Sequence, residues 1–251
     1  MSEIITNSLS AKLRGLTPAR VGLGRTGVSQ ATSDLLDFQM SHGRARDAVH
    51  ARMDAGSLAA GIAAITRGPV LTVHSRCADR VQYLQRPDLG RELDDASWNV
   101  LADKQTGESA DLALVVADGL SALAVERHVV PLLQEWWPRL KGWLVAPICV
   151  VEQGRVAVGD AIGERLGAML SVVLIGERPG LSSPDSLGAY ITWEPRVGRT
   201  DAERNCISNI RTEGLSYAQA AAQLSFFVME ARQRRLTGVS LKEAAPMLER
   251  G

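Results

Sequence analysis

From Glu108 onward the chain alternates apolar runs with amphipathic ones, and that alternation most constrains what it can fold into. Leu112 to Ala117 is strand-like, Ser121 to Leu140 helical, Trp143 to Val151 strand-like, Val156 to Leu166 helical and Leu170 to Ile175 strand-like. Short apolar runs bounded by turn residues suit strands buried on both faces, because a parallel sheet is covered by helices on each side. Three strands with two intervening helices make two βαβ units with right-handed crossovers. The expectation is an α/β chain: a Rossmann-like parallel sheet flanked by helices over 108–251, preceded by a smaller, mainly helical region over 1–107.

The first region reads as helical and charged. Between Ser29 and Arg52, Leu35, Leu36, Phe38, Met40, Ala45, Ala48 and Val49 recur at roughly the helical period, with Ser29 or Thr32 as the expected cap. Arg44, Arg46 and Arg52 with Asp47 read as a solvated or interface face of that helix. In RPDLGRELDDAS, Pro87 and Asp88 suit a helix start, with a second helix after it. Ser216 to Leu236 closes the chain as an amphipathic helix, its final Arg232, Arg234 and Arg235 opposing the negative pole of the helix dipole.

Charge and cysteine content narrow the class. Lys plus Arg and Asp plus Glu each number 28, so nothing points to a nucleic-acid partner, and neutrality mildly favours life in a complex. Cys77, Cys149 and Cys206 are widely spaced, without a CxxC pair, and the N-terminus is polar, so a reducing, cytoplasmic setting is expected. No apolar run approaches the length of a membrane span.

The stretch from Gly176 to Gly214 is too long and too particular for a plain connection. It leaves a buried strand through Glu177, Arg178, Pro179 and Gly180, at the edge where open α/β sheets place ligands. Glu177 can accept hydrogen bonds from ligand amides or a ribose hydroxyl; the alternative is an internal ion pair holding the loop. Asn205 to Ile210 alternates small polar with apolar side chains, which suits a large amphipathic ligand. Asp118 and Ser121, at the end of the first sheet strand, read as a turn and helix cap; the alternative is that they also face a ligand at the sheet's carboxyl edge.

Other motifs carry less. Gly22, Gly24 and Gly27 match GxGxxG, yet Pro18 stands upstream and a charged helical segment follows, so the strand and helix that a dinucleotide fingerprint needs are missing. His42, His50, His74 and His128 form no metal-ligand spacing and read as helix-face or surface residues. None has Asp two residues before it, so the DxHxxG signature of many cobalamin-binding domains is absent. No catalytic triad, paired-carboxylate motif or P-loop occurs.

Four separated segments, VGLGRTGVSQATSDLLDFQMSHGRARDAVH, GRVAVGDAIGERLGA, GERPGLSSPDSL and NCISNI, together resemble the small subunit of ethanolamine ammonia-lyase, from about Leu16 to about Leu241. That resemblance implies one subunit of an adenosylcobalamin-dependent enzyme that converts ethanolamine to acetaldehyde and ammonia by a radical mechanism. It also implies a large TIM-barrel subunit that holds ethanolamine and most of the residues acting on it, contacted by the N-terminal region here. Residue by residue, it carries cobalamin contacts onto Val156, Glu177 and Cys206, with the cofactor keeping its own dimethylbenzimidazole ligand, the base-on mode. Many members carry an N-terminal extension linked to packaging in bacterial microcompartments; the stretch before Leu16 is short for that, and a cytoplasmic location is expected. The other readings are a stand-alone nucleotide-dependent oxidoreductase and a structural subunit without ligand contact.

Overall fold

The computed structural model describes residues 12–17, 19–103 and 109–244. A two-residue hairpin, Arg25–Thr26 against Ser29–Gln30, leads into helix α1, Thr32–His50. Ser29 lies in the hairpin and the cap position falls on Ala31, which makes no side-chain cap hydrogen bond, so neither expected cap is used. Helix α2, Ala55–Thr66, is capped by Asp54 and stops where Arg67 turns left-handed at φ 54°. Strand β1, Val70–His74, follows. Then come α3, Arg80–Gln85, a 3-10 turn at Leu89–Arg91, and α4, Asp95–Ala102, the two helices being capped by Asp79 and Asp94.

The rest follows the alternation closely. Strand β2 is Ala110–Ala117, α5 is Ala122–Trp136, β3 is Ile148–Glu152, α6 is Val158–Arg165 and β4 is Ala168–Gly176. Pro147 delays β3, so the apolar run from Trp143 starts as irregular chain with one bridge, Val145 to Leu112. The stretch after β4 holds two further strands, β5 at Leu187–Trp193 and β6 at Arg204–Ile210, before α7, Tyr217–Arg234, and α8, Val239–Ala244. Ser216 and Gln219 form a capping box at the start of α7.

One six-stranded sheet runs in the order β1-β3-β2-β4-β5-β6. The first four strands are parallel; β5 and β6 are antiparallel additions at one edge. The molecule is thus mixed α/β with a mostly parallel sheet. Its first strand, β1, comes from before residue 108.

Alternating residues of each central strand enter opposite cores. Leu112, Leu114 and Val116 pack with α2, α5 and α7, whereas Ala113, Val115 and Ala117 pack with Val158 and Ile162 of α6 and Leu101 of α4. Because β2 feeds a helix on one face and β3 a helix on the other, a crevice opens between their exits, at the carboxyl edge.

A buried ion pair ties the antiparallel edge to the parallel core. Arg204, at the start of β6, donates through both terminal nitrogens to the Asp160 carboxylate of α6, at 2.5 and 2.6 Å. Each side chain keeps only 2% of its surface exposed. Such a fork matches carboxylate geometry, and removing one partner strands the other charge away from water. Asp160→Ala is therefore expected to lower the unfolding free energy by about 3–5 kcal/mol, read as a lower urea midpoint. A loss below about 1 kcal/mol, the size typical of a surface pair, would mean that Arg204 reaches water on its own.

Candidate functional site

The exits of β2 and β4 approach so closely that only glycine fits. Gly119 adopts φ +56°, and a Cβ there would overlap the backbone carbonyl of Gly176; one on Gly176 would overlap the carbonyl of Ser121. The contact is sealed by the Leu120 N–H donating to the Gly176 carbonyl at 2.9 Å. Here backbone freedom matters because two chains meet with no room for a side chain between them.

Above this contact lies an open cleft of about 410 Å³. Gly119 and Leu120 form its floor, and Val156 with Arg155 comes from the β3–α6 turn. Glu177 and Arg178 line it from the end of β4, with Tyr190 of β5 beside them. Tyr83 of α3 closes the side. Two guanidinium groups lie over its ring, Arg80 at 4.8 Å and Arg155 at 4.5 Å from the ring centre, while its hydroxyl donates to the Gly154 carbonyl. The Arg155 Nε is buried without a hydrogen-bond partner.

Two of the three residues singled out in the sequence, Val156 and Glu177, line this one cleft. Cys206 lies one strand further out, exposed on β6 and directly across from the cleft residue Tyr190 in register. Its sulfur sits 3.2 Å from the Ser208 hydroxyl. Burial holds the Tyr190 phenol well above its ordinary range, with Cys206 a further cause, so this ring stays protonated beside the carboxylate of Glu177.

Glu177 forms no ion pair with Arg178. Its Oε2 instead accepts from the Ser186 hydroxyl, in a short hydrogen bond, and from the backbone N–H of Asn209 at 3.1 Å. The loop is therefore held by neutral donors, and not by the internal ion pair that was the alternative reading.

Asp118 and Ser121 turn inward, away from the cleft. The Ser121 hydroxyl caps α5 by accepting from Ala124 N–H and donates to the Pro184 carbonyl at 3.0 Å. Asp118 is 3% exposed and bridges Arg80 at 3.3 Å and the Gly154 N–H at 3.1 Å. Arg80 also donates to the carbonyls of Gly119 and Val49, at 2.8 and 2.7 Å, which ties α1 and α3 to the cleft floor. Both residues organise the site from below.

No histidine lines the cleft: His42 and His50 belong to α1, and His74 bonds the Ser75 carbonyl. His128 sits on the inward face of α5, is 3% exposed and meets the Tyr217 hydroxyl at 2.8 Å. Among the described residues, no group of three or more His, Cys, Asp or Glu could hold a metal ion. The Gly22, Gly24 and Gly27 motif spans a bend and the small hairpin, ahead of every strand of the main sheet. Sequence reasoning missed Tyr83, Tyr190 and Arg155. Arg155 adjoins Val156 in GRVAVGD, whereas the two tyrosines carry no local signal and reach the cleft only through the fold.

The family model described as ethanolamine ammonia-lyase light chain matches residues 7–242. A protein of Pseudomonas paraeruginosa named ethanolamine ammonia-lyase small subunit is 58% identical over 237 residues, covering 93% of this chain and 86% of its own length. Proteins of the same name are 56% identical in Ralstonia nicotianae, covering 98% of this chain and 93% of theirs, and 54% identical in Pseudomonas syringae pv. tomato, covering 98% and 88%.

The carboxyl beneath the cleft supplies a test of its electrostatics. Burial pushes Asp118 up from its ordinary 3.8 to about 6, more than Arg80 and the surrounding backbone N–H groups pull it down. Folded Asp118 thus binds its proton more tightly than unfolded Asp118, so its contribution to stability falls as pH rises from 3.8 to about 6. Carboxyl carbon shifts of aspartate-labelled protein are expected to show the Asp118 midpoint near 6. A midpoint at or below the ordinary value would show that the Arg80 pair dominates.

Proposed function

The chain belongs to the ethanolamine ammonia-lyase light-chain family, and we propose that it seats adenosylcobalamin against the large subunit of that lyase through Val156, Glu177 and Cys206. The proposed reaction converts ethanolamine to acetaldehyde and ammonia, and activity is confined to the two-subunit complex. When bound, adenosylcobalamin supplies a cobalt–carbon bond that breaks homolytically and so starts radical chemistry.

The observation that carries this reading is the composition of the cleft. Val156 and Leu120 offer apolar surface, Glu177 a carboxylate acceptor, and the exposed Arg178 guanidinium donors. This mixture fits the rim of a corrin, which is apolar over its ring and edged with amides. No histidine lines the cleft, in keeping with a cofactor that retains its own base in the base-on mode. A cleft of about 410 Å³ accepts only part of so large a molecule. The remainder needs a second surface, which a large subunit provides.

The N-terminal helix supports the same arrangement. Over its 19 residues α1 buries only Ser41 and Ala48, while Leu35, Leu36, Phe38 and Met40 stay exposed at 42–58%. Exposed apolar side chains gathered in the first half of a helix that buries so little mark an interaction surface. In the proposed complex it meets the large subunit, with the region up to residue 107 forming the contact and the region from 108 the cofactor seat.

This chain's residues then position and exclude. Glu177 fixes the orientation of donor groups at its end of the cleft, Val156 removes water from the apolar side, and Cys206 with Tyr190 forms the outer wall. Among the described residues no helix is long and apolar enough to cross a membrane; a cytoplasmic location is part of the proposal.

Co-purified with the large subunit, the chain is expected to support ammonia release from ethanolamine only when adenosylcobalamin is added. Glu177→Ala is expected to raise the apparent KM for adenosylcobalamin about tenfold, the effect of losing one charge-assisted hydrogen bond, with kcat little changed. Ammonia release by the chain alone, or an unaltered cofactor requirement in the variant, would overturn the assignment.

A further inference from the structure

The Gly176 to Gly214 stretch contains a device whose three parts converge on one carboxylate. Opposite Gly188 of β5, the edge strand β6 carries one residue too many: Leu187 pairs with Ile210 and Ala189 with Ile207, so Ser208 and Asn209 together face Gly188. This is a β-bulge, and within it Asn209 takes the left-handed conformation at φ +61°. The bulge rotates the Asn209 N–H out of the ladder and onto Oε2 of Glu177, at 3.1 Å.

Two more features act on the same side chain. The hydroxyl of Ser186, a residue only 5% exposed, donates to the same Oε2 in a short hydrogen bond, while the Ser186 carbonyl accepts the Glu177 N–H at 2.9 Å. Gly188 leaves the space that the carboxylate occupies, since a Cβ there would stand 3.1 Å from both Cγ and Oε1 of Glu177. Neither donor uses Oε1. The loop after the bulge is braced as well: the Asn209 carbonyl accepts from Leu215 N–H at 2.7 Å, and a Cβ on Gly214 would overlap it.

We propose that Ser186, Gly188 and the Asn209 bulge are positioning residues that lock the Glu177 carboxylate, holding Oε2 so that Oε1 is offered to an N–H or O–H donor of the bound cofactor. The inference rests on the cobalamin reading above. A glutamate has three side-chain torsions, and free rotation would spread its acceptor over many directions. Two donors on one oxygen and a wall of backbone on the other side remove that freedom before the ligand arrives, which is how preorganisation converts into affinity.

The test uses the complex with the large subunit and reads adenosylcobalamin Kd by equilibrium dialysis, separately from kcat. Ser186→Ala and Gly188→Ala are each expected to raise Kd about tenfold with kcat within about twofold, and Ser186→Thr, which keeps the hydroxyl, to stay within about threefold of the native chain. Asn209 acts through its backbone, so Asn209→Gly, which suits the left-handed conformation, is expected to raise Kd less than about threefold, and Asn209→Val about tenfold or more. Adding Ser186→Ala to Glu177→Ala is expected to cost nothing further, because a positioning residue has no effect once the side chain it holds is gone.

A readout without cofactor accompanies this: the Asn209 amide proton, shifted downfield by the carboxylate, is expected to move upfield in Glu177→Ala. If Glu177→Gln weakens binding while Ser186→Ala and Gly188→Ala do not, the positioning role is overturned and the cobalamin reading stands. If Glu177→Gln and Glu177→Ala both leave Kd unchanged, the cobalamin reading at Glu177 fails and the positioning role with it. Should Ser186→Ala not fold, the Asn209 pair decides: equal Kd values for Asn209→Gly and Asn209→Val overturn the proposal.

Discussion

The carboxyl ends of β2 and β4 touch backbone to backbone, and the position of every group around the cleft descends from that contact. Gly119 and Gly176 permit it, and the Leu120 N–H to Gly176 carbonyl bond fixes it. From one side of the contact the chain leaves toward α5 through the buried Ser121 cap; from the other it leaves through Glu177 into the antiparallel extension. Arg80 then reaches the Gly119 carbonyl from α3 and the Val49 carbonyl from α1. A buried guanidinium with a buried carboxylate beside it is costly unless its donors are used, so the Asp118–Arg80 pair holds α1, α3 and β2 in fixed relation instead of adding much net stability.

The parallel core was legible because its signal is local. Leu112 to Ala117 and Leu170 to Ile175 are short apolar runs with turn chemistry at each end, and the structure places β2 and β4 around them with small extensions. Ser121 was readable as a cap for the same reason: one side chain and a backbone N–H three residues on decide the matter. The start of α1 was not, because Ser29 is used in a hairpin that its sequence does not announce. Strand β1 was invisible as VLTVH, five residues too few for a period and only partly buried, and stable chiefly because β3 pairs with it along its whole length.

The antiparallel extension shows a different limit. LGAYITW and RNCISNI lie inside a stretch whose Pro, Gly and Ser content suggests one long loop, yet each forms a strand. Antiparallel pairing is a non-local choice: the backbone N–H and C=O groups along both edges of β5 are satisfied because β4 pairs on one side of it and β6 on the other. Register decides chemistry here. It sets Cys206 opposite Tyr190, and it leaves the extra residue at Ser208 and Asn209 that turns a ladder N–H toward Glu177. A list of residues could nominate Glu177 and Cys206 by resemblance, but which neighbours hold them follows from pairing alone.

Asp118 and Ser121 illustrate why position at a sheet edge is not enough to make a ligand contact. Both stand where α/β sheets bind ligands, and both are buried and fully occupied by the scaffold: one with Arg80 and Gly154, the other with Ala124 and Pro184. The residues left free to face outward are those whose side chains the backbone contact does not need, which are Val156 on one rim and Glu177 on the other. The division between scaffold and binding surface therefore follows from geometry. Once two glycines bring the strand ends together, whatever is beneath must satisfy buried polar groups, and only what is above stays open to the outside.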